Sequence, residues 1–335
     1  MKEMKGIVFV SKYNAELCEM SDRLPEENEV RIALKYSAVS AGTERALITA
    51  NEDGDETCKL GFPSYSGYSG SGIITHVGKN VKEFKPGDKI MVHGAGHKQF
   101  STVDEKEVIK LPDNVELEEA AFTIISGFSL AAVRKARVEL GHNCLVAGLG
   151  LLGLFAVKFL KLCGALNIIA VDFNPERRDL AKKMGADYAL DPRDENYKEK
   201  IMKITSGKGV DSVIEVTGNP NALTQCLKCT ARFGKVILLG CTRQLTQVDF
   251  YHDVHCPGIE LIGAHSGARN RLESSPGNWT EMDDCRTIIS YLSKGKLDFN
   301  DIISEVHSPA EAHDVYERLS KNQFPIGVLF DWNKI

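Results

Sequence analysis

The alternation of apolar and polar positions divides this chain near residue 120. Before that point lie short runs with the period of a strand: Ile7-Val8-Phe9-Val10, Glu29 to Leu34, Gly72 to Val77 and Lys89 to Val92. Turn sequences at Pro86-Gly87-Asp88 and Pro112-Asp113 punctuate them. No helical period of any length interrupts this part, which predicts a compact β-rich module. From Leu117 to Ala136 the spacing becomes helical. Strands and helices then alternate over 144–148, 152–163, 167–171, 176–184, 210–216, 221–231 and 235–240. That order predicts βαβ units, hence an α/β domain with a parallel sheet covered on both faces.

Residues 266–283 break the pattern. They are polar and aperiodic, and Trp279 within them favours a docked loop over a disordered one. Helical spacing returns over 282–294 and 309–320, and the chain closes on an apolar strand, Ile326 to Phe330. The expected organisation is a β-rich domain (1–120), an α/β domain (121–265), and a loop with a return segment (266–335) that completes the first.

The most specific run is Asn143-Cys-Leu-Val-Ala-Gly148-Leu149-Gly150-Leu151-Leu152-Gly153, followed by an amphipathic stretch and Ile-Ile-Ala-Val-Asp172. It is a strand, a glycine turn, a helix, a second strand and a terminal acid. Gly148 permits the turn, Gly150 lets the backbone approach a pyrophosphate, and Gly153 lets helix and strand pack closely. The helix start supplies free N–H groups to the phosphates. Asp172 can accept from an adenosine ribose and repels a 2′-phosphate, which favours NAD over NADP. Arg177 and Arg178 follow. They are solvated helix residues, a cover for the adenine, or a phosphate site. Strands ending at Thr217 and Gly240 place those residues at the carboxyl edge of the sheet, where ligands bind in such folds.

Composition narrows the field. The chain has 335 residues, 43% hydrophobic and 26% charged, with a net charge of −5 and no long like-charge run. A nucleic-acid footprint is therefore not expected. No apolar run is long enough for a membrane span, and Met1 to Gly6 lack the apolar core of a signal peptide. The nine cysteines are scattered. Together these favour reduced thiols in a cytoplasm over a disulfide framework. Cys226 and Cys229 form an isolated CxxC that fits one helix face better than a metal or redox pair.

A β-rich module, a central dinucleotide unit and a return segment, in that order, resemble the medium-chain dehydrogenase/reductase (alcohol dehydrogenase-like) family. The motifs that carry the resemblance are Gly78-Lys-Asn-Val-Lys-Glu-Phe-Lys-Pro-Gly87-Asp88, the 147–153 glycine run, Val171-Asp172, Met184-Gly-Ala-Asp187, Val216-Thr217-Gly218 and Phe233-Gly-Lys-Val236. The resemblance implies a GroES-like catalytic domain, a Rossmann domain, a site in the cleft between them, and a homodimer or homotetramer. It also exposes departures. Where zinc-dependent members carry Cys-Gly-Thr-Asp, this chain has Ala41-Gly42-Thr43-Glu44. Where they carry Gly-His-Glu, it has Gly67-Tyr68-Ser69, and the third ligand position falls near Ile124. The cysteines of the structural zinc lobe are absent as well. The resemblance is to the zinc-free branch of threonine-dehydrogenase-like and bacteriochlorophyllide-type enzymes, so no metal is expected.

Bound zinc can lower the pKa of a water from ~15.7 to ~7, worth about 12 kcal/mol. Without it, proton removal from an alcohol has to accompany hydride departure and needs a positioned protein group. Tyr68, at the family's ligand position, is the first candidate, or it merely fills the space. Thr43 matches a proton-relay hydroxyl. Glu44 matches an acid that orients the metal-bound imidazole; here it would orient Tyr68, hold a substrate, or pair with Arg45. His93 stands at a strand end near the implied pocket, and His97, Tyr65 and His265 are weaker candidates. A polar lining of Ser40, Thr43, Glu44, Tyr65, Tyr68 and His93, closed by Arg269, Asn278 or Trp279, suits a polyol or sugar-type secondary alcohol. The competing readings are a zinc-free C=C or quinone reductase, a non-catalytic NAD-binding protein, and a metal enzyme using His93, His97 and Glu44.

Overall fold

The computed structural model describes residues 3–50, 61–275 and 277–335, which fall into two units, 1–125 with 285–335 and 126–284. In the first unit β1 (Glu3–Ser11) and β2 (Asn14–Ser21) form a hairpin, and β3 (Glu29–Ala38) leads into α1 (Ala41–Ile48). Then come β4 (Ser64–Tyr65), β5 (Ser69–Val77), β6 (Lys89–His93), β7 (Phe100–Asp104), β8 (Val108–Lys110) and α2 (Leu117–Ala120). α3 (Thr123–Ala136) carries the chain into the second unit.

There β9 (Asn143–Ala147), α4 (Leu151–Leu162), β10 (Asn167–Val171), α5 (Pro175–Lys183), β11 (Tyr188–Leu190) and α6 (Tyr197–Ile204) are followed by β12 (Val210–Glu215), α7 (Pro220–Cys229), β13 (Thr230–Leu238) and β14 (Glu260–Gly263). α8 (Glu281–Ser293) returns the chain to the first unit, where β15 (Ile303–His307), α9 (Ala312–Ser320) and β16 (Gly327–Asp331) finish it.

The second unit is a six-stranded parallel sheet in the order β11-β10-β9-β12-β13-β14. The order reverses between β9 and β12, the switch point at which doubly wound folds bind ligands. The first unit holds a three-stranded sheet, β2-β1-β4, and a seven-stranded sheet that β16 joins through β3. Its core gathers Phe9, Ile32, Ile74, Ile90, Tyr316 and Phe330. Short strands and turns from distant parts of the chain therefore converge on one apolar centre.

Four sequence expectations change. The β-rich module contains a helix, α1, whose Gly42 and Thr43 are poor helix formers. It forms because Ala46 and Ile48 are buried and Glu44 bonds back to the Ser40 N–H at 2.9 Å. The helix expected over 117–136 is two helices. Ser71 Oγ takes the Leu117 carbonyl and Ser69 Oγ the Ala121 carbonyl, both at 2.5 Å, and the chain turns at Ala121–Phe122 before α3 begins. Residues 266–284 group with the α/β unit, not with the return segment. Their anchors are internal to that unit: Arg269 Nη2 donates to the Gly127 carbonyl at 2.6 Å, and the Trp279 ring lies 4.0 Å from the Arg134 guanidinium. Finally, the pattern passed over three short elements, β11, α6 and β14, which are three, eight and four residues long, although Tyr197, Ile201 and Ile204 do stand at helical spacing in α6.

Candidate active site

In the α/β unit the chain passes from β9 into α4 through Gly148-Leu149-Gly150. Gly148 adopts φ +93°, which side chains rarely tolerate, and a Cβ there would come within 2.8 Å of the Thr217 methyl. A Cβ on Gly153 would lie 1.9 Å from the Gly148 carbonyl oxygen, so only glycine lets this helix meet this turn. The space around Gly150 is open. α4 starts at Leu151 and Leu152 with Gly150 at its N-cap and no side chain capping it. Its first N–H groups are thus available to an anion.

Asp172, just past β10, is fixed against that turn. Its Oδ2 accepts from the Leu149 N–H at 2.7 Å and its Oδ1 from the Asn174 N–H at 2.8 Å. A carboxylate has about four lone-pair sites, so acceptor capacity for a diol persists. Arg177 is half-buried and gives its backbone N–H to Asn174 at 3.2 Å. Arg178 is committed inward, to the carbonyls of Asp172 (2.7 Å) and Phe173 (3.0 Å) and to Asp191 Oδ2 (3.2 Å). Arg193 grips the same Asp191 through Nε at 2.9 Å and Nη2 at 2.6 Å. Hydrogen bonds from Arg193 hold the Asp191 carboxyl well below the usual range.

Thr217 and Gly240 do stand at the carboxyl ends of β12 and β13. A Cβ on Gly240 would come within 2.5 Å of the Gly218 nitrogen. Glu215, just before Thr217 in the chain, belongs to no motif and is found only in the structure. It is fully buried, and its Oε1 accepts from Thr217 N–H at 2.7 Å, from the Thr217 hydroxyl and from Gly218 N–H at 3.1 Å. Burial raises its pKa, against those hydrogen bonds.

In the β-rich unit the Tyr68 hydroxyl lies 2.6 Å from Ser40 Oγ. Ser40 is the N-cap of α1, yet its hydroxyl makes no cap bond; it is turned to Tyr68 instead. Thr43 is exposed on the first turn of α1. Glu44 is placed otherwise than expected. It is fully buried, and its carboxylate meets His97 Nε2 at 3.2 Å from both oxygens, the Tyr316 hydroxyl at 2.6 Å and the Ser40 N–H. None of these bonds reaches the Tyr68 hydroxyl directly, and the carboxylate is closed to solvent. His97 Nδ1 continues the chain to Ser37 Oγ at 2.7 Å, which also accepts from Trp332 Nε1 at 2.8 Å. His97, too, is buried.

His93 lies apart from this hub, partly exposed, with Nδ1 2.7 Å from Glu107 Oε2. If Nδ1 donates there, Nε2 is the free acceptor of a neutral ring. Register pairs Ser69 with His93, and the Gly94 N–H bonds the Tyr68 carbonyl at 2.8 Å, so the backbones of Tyr68 and His93 are neighbours. Among the described residues no three His, Cys, Asp or Glu side chains gather as a metal site, so His93, His97 and Glu44 do not form one. Tyr65 is 60% exposed, and His265 Nδ1 accepts from the Gly267 N–H. Cys226 and Cys229 are both buried on α7 as packing thiols. No helix is long and apolar enough to cross a membrane among the described residues.

Residues 152–281 match the family model described as zinc-binding dehydrogenase. The chain is 27% identical over 335 residues to an L-threonine 3-dehydrogenase of Pyrococcus furiosus, covering 91% of each chain. It is 30% identical over 203 residues to the (R,R)-butanediol dehydrogenase of Bacillus subtilis, covering 53% of this chain and 58% of that one. The fold is similar to the crystal structure of 2R,3R-butanediol dehydrogenase from that bacterium, with a TM-score of 0.84 over 98% of this chain and 99% of the other, at 22% identity.

Proposed function

This chain belongs to the zinc-binding, alcohol dehydrogenase-like family, and from that premise we propose that it moves hydride between NAD(H) and a secondary alcohol or its ketone without a catalytic zinc. The observation that carries the reading is the Asp172 carboxylate bonded into the glycine turn at the Leu149 N–H. It aligns a ribose acceptor with the open helix start, as a dinucleotide requires. Gly148, Gly150, Gly153, the N–H groups of Leu151 and Leu152, Asp172 as fixed by the Leu149 N–H, Arg177, Thr217 and Gly240 would hold it. When bound, NAD supplies the hydride acceptor.

The residues at the family's ligand positions do not fit zinc. Ala41 has no donor, Ile124 is apolar and fully buried, and the Tyr68 phenol is engaged with Ser40. Zinc requires three N, O or S ligands at a catalytic site. We therefore assign the proton to protein groups. The alcohol proton passes to Tyr68 Oη as the phenolic proton passes to Ser40 Oγ, and Ser40 returns a proton to water. Thr43, exposed one turn away, receives the substrate hydroxyl. His93, held by Glu107, is the nearest alternative acceptor. Glu44 acts through Ser40: by fixing its N–H it fixes the hydroxyl that faces Tyr68, and so it is a positioning residue. The polar groups of this unit favour a polyol or sugar-type substrate. We further propose that the protein works in the cytoplasm as a homodimer or homotetramer.

The test is a panel of polyols, sugars and simple alcohols with NAD and NADP, with and without a chelator. Turnover with NAD that survives chelation is expected, falling at least ~100-fold in kcat for Tyr68→Phe. Activity lost to chelator and restored by zinc would overturn the metal-free reading. Full activity in both Tyr68→Phe and His93→Ala would overturn the relay.

A further inference from the structure

Two acids stand side by side at the carboxyl edge of the parallel sheet. Val171 pairs with Leu190 in the β10–β11 ladder, and each is followed directly by an aspartate, Asp172 and Asp191. Their partners differ. Asp172 takes backbone N–H groups from the glycine turn and from Asn174. Asp191 takes two guanidinium groups: Arg178 at 3.2 Å, and Arg193 through two nitrogens. The same arginines are tied to the strand-end carbonyls. Arg178 bonds those of Asp172 and Phe173, and Arg193 Nη2 bonds that of Phe173 at 3.2 Å.

A sequence reading of Arg177-Arg178 beside Asp172 is ambiguous, because arginines after this strand are the groups that would bind a ribose 2′-phosphate. The structure separates the two possibilities by charge and direction. Arg178 is half-buried and turned back on the backbone, and Asp191 offsets it together with Arg193. The four side chains Asp172, Asp191, Arg178 and Arg193 sum to zero. Converting Asp191 to a neutral amide leaves a net charge of +1 there, with two forked donors no longer held by a carboxylate.

We propose that Asp191 determines cofactor specificity at a distance from the ribose, by withholding Arg178 and Arg193 from a 2′-phosphate. It would thus exclude NADP alongside the direct repulsion by Asp172. The proposal rests on the reading that this turn binds a dinucleotide. It predicts that preference for NAD has two separable sources, one acid facing the ribose and one facing away.

The experiment measures Kd for NAD+ and NADP+ by calorimetry on the full chain, with no substrate and no turnover. In Asp191→Asn, affinity for NADP+ should rise at least tenfold while that for NAD+ moves less than threefold. The gain should shrink as salt rises from 50 to 500 mM, since it comes from exposed charge. The double variant Asp191→Asn/Arg178→Met should lose most of it. A Kd ratio unchanged in Asp191→Asn, with NAD+ still bound, would overturn the role of Asp191 and leave the dinucleotide reading standing. A wild-type chain that binds neither nucleotide would overturn both. Should Asp191→Asn melt abnormally, Arg178→Met alone decides. Its NADP+ affinity should match wild type, whereas a fivefold loss would mean that Arg178 already serves the phosphate, and the proposal fails.

Discussion

Glu44 in the β-rich unit and Glu215 in the α/β unit are both buried completely, and the two are satisfied in opposite ways. Glu215 is served by its own neighbours: every donor to it comes from Thr217 or Gly218. Glu44 is served from across its unit, by Ser40 at the start of its own helix, by His97 and by Tyr316, the last 272 residues further along the chain. A carboxylate in a local nest can be lost with the turn that made it. One that ties distant segments together is a keystone of the tertiary structure, because its removal strands several buried donors at once.

The largest effect follows from that difference. Glu44→Ala should destabilise the β-rich unit by about 3–6 kcal/mol, since three buried donors lose their acceptor at ~1–3 kcal/mol each and can relax only in part. Set against the ~5–15 kcal/mol of a typical domain, that is most of the available stability. Glu44→Gln keeps an acceptor oxygen and should cost clearly less. Urea unfolding of both variants is the check, and equal, small losses for the two would refute the keystone assignment.

The next effect is on Glu215 and depends on pH. Burial raises its folded pKa, so the protonated form is the one the fold prefers. The associated stability is complete below the ordinary glutamate value near 4.5 and is lost as pH climbs through the raised value. Glu215→Gln lacks this component. The melting temperature of wild type minus that of the variant should therefore fall between pH 4.5 and pH 7; a flat difference would show that Glu215 does not titrate over that window. The smallest effect belongs to the rim of the Glu44 hub. Trp332→Phe removes one N–H donor to Ser37, which has His97 as a second partner, and should cost about 1 kcal/mol in the same urea assay, beyond the change in ring size. A loss as large as that of Glu44→Ala would mean that the hub has no single centre.

The same contrast explains what could be read from the amino acids. Gly148, Gly153 and Asp172 act within 25 residues of one another, and each does so for a steric or hydrogen-bonding reason that spacing reveals. The alternation of strands and helices is equally local. Glu44 reads as available because it stands at the family position of an acid that faces the site. Nothing nearby announces that a histidine 53 residues away and a tyrosine on α9 enclose it. Helix α1 was missed for a related reason. Its intrinsic propensity is poor, and its stability comes from packing and from the Glu44 bond rather than from period or cap. The zinc-ligand positions were legible only as substitutions against a family pattern; that Ser40 would be the partner of Tyr68 was not.

The diverted hydroxyl of Ser40 also bears on how this unit can be improved. α5 and α7 begin with Asn174 and Asn219, whose side chains accept from the first helical N–H groups. α1 begins with a residue equally suited to that task that does not perform it. A serine cap is worth about 1 kcal/mol to a helix, so the chain forgoes that stabilisation to keep an oxygen at the phenol. Substituting Ser40 with aspartate is the obvious thermostabilising change by sequence alone. On this structure it would close the helix end but bring a negative charge both to the Tyr68 hydroxyl and beside the buried Glu44, which offsets the gain and alters the proposed relay. A stabilised variant that keeps full turnover would show that the phenol can do without that serine.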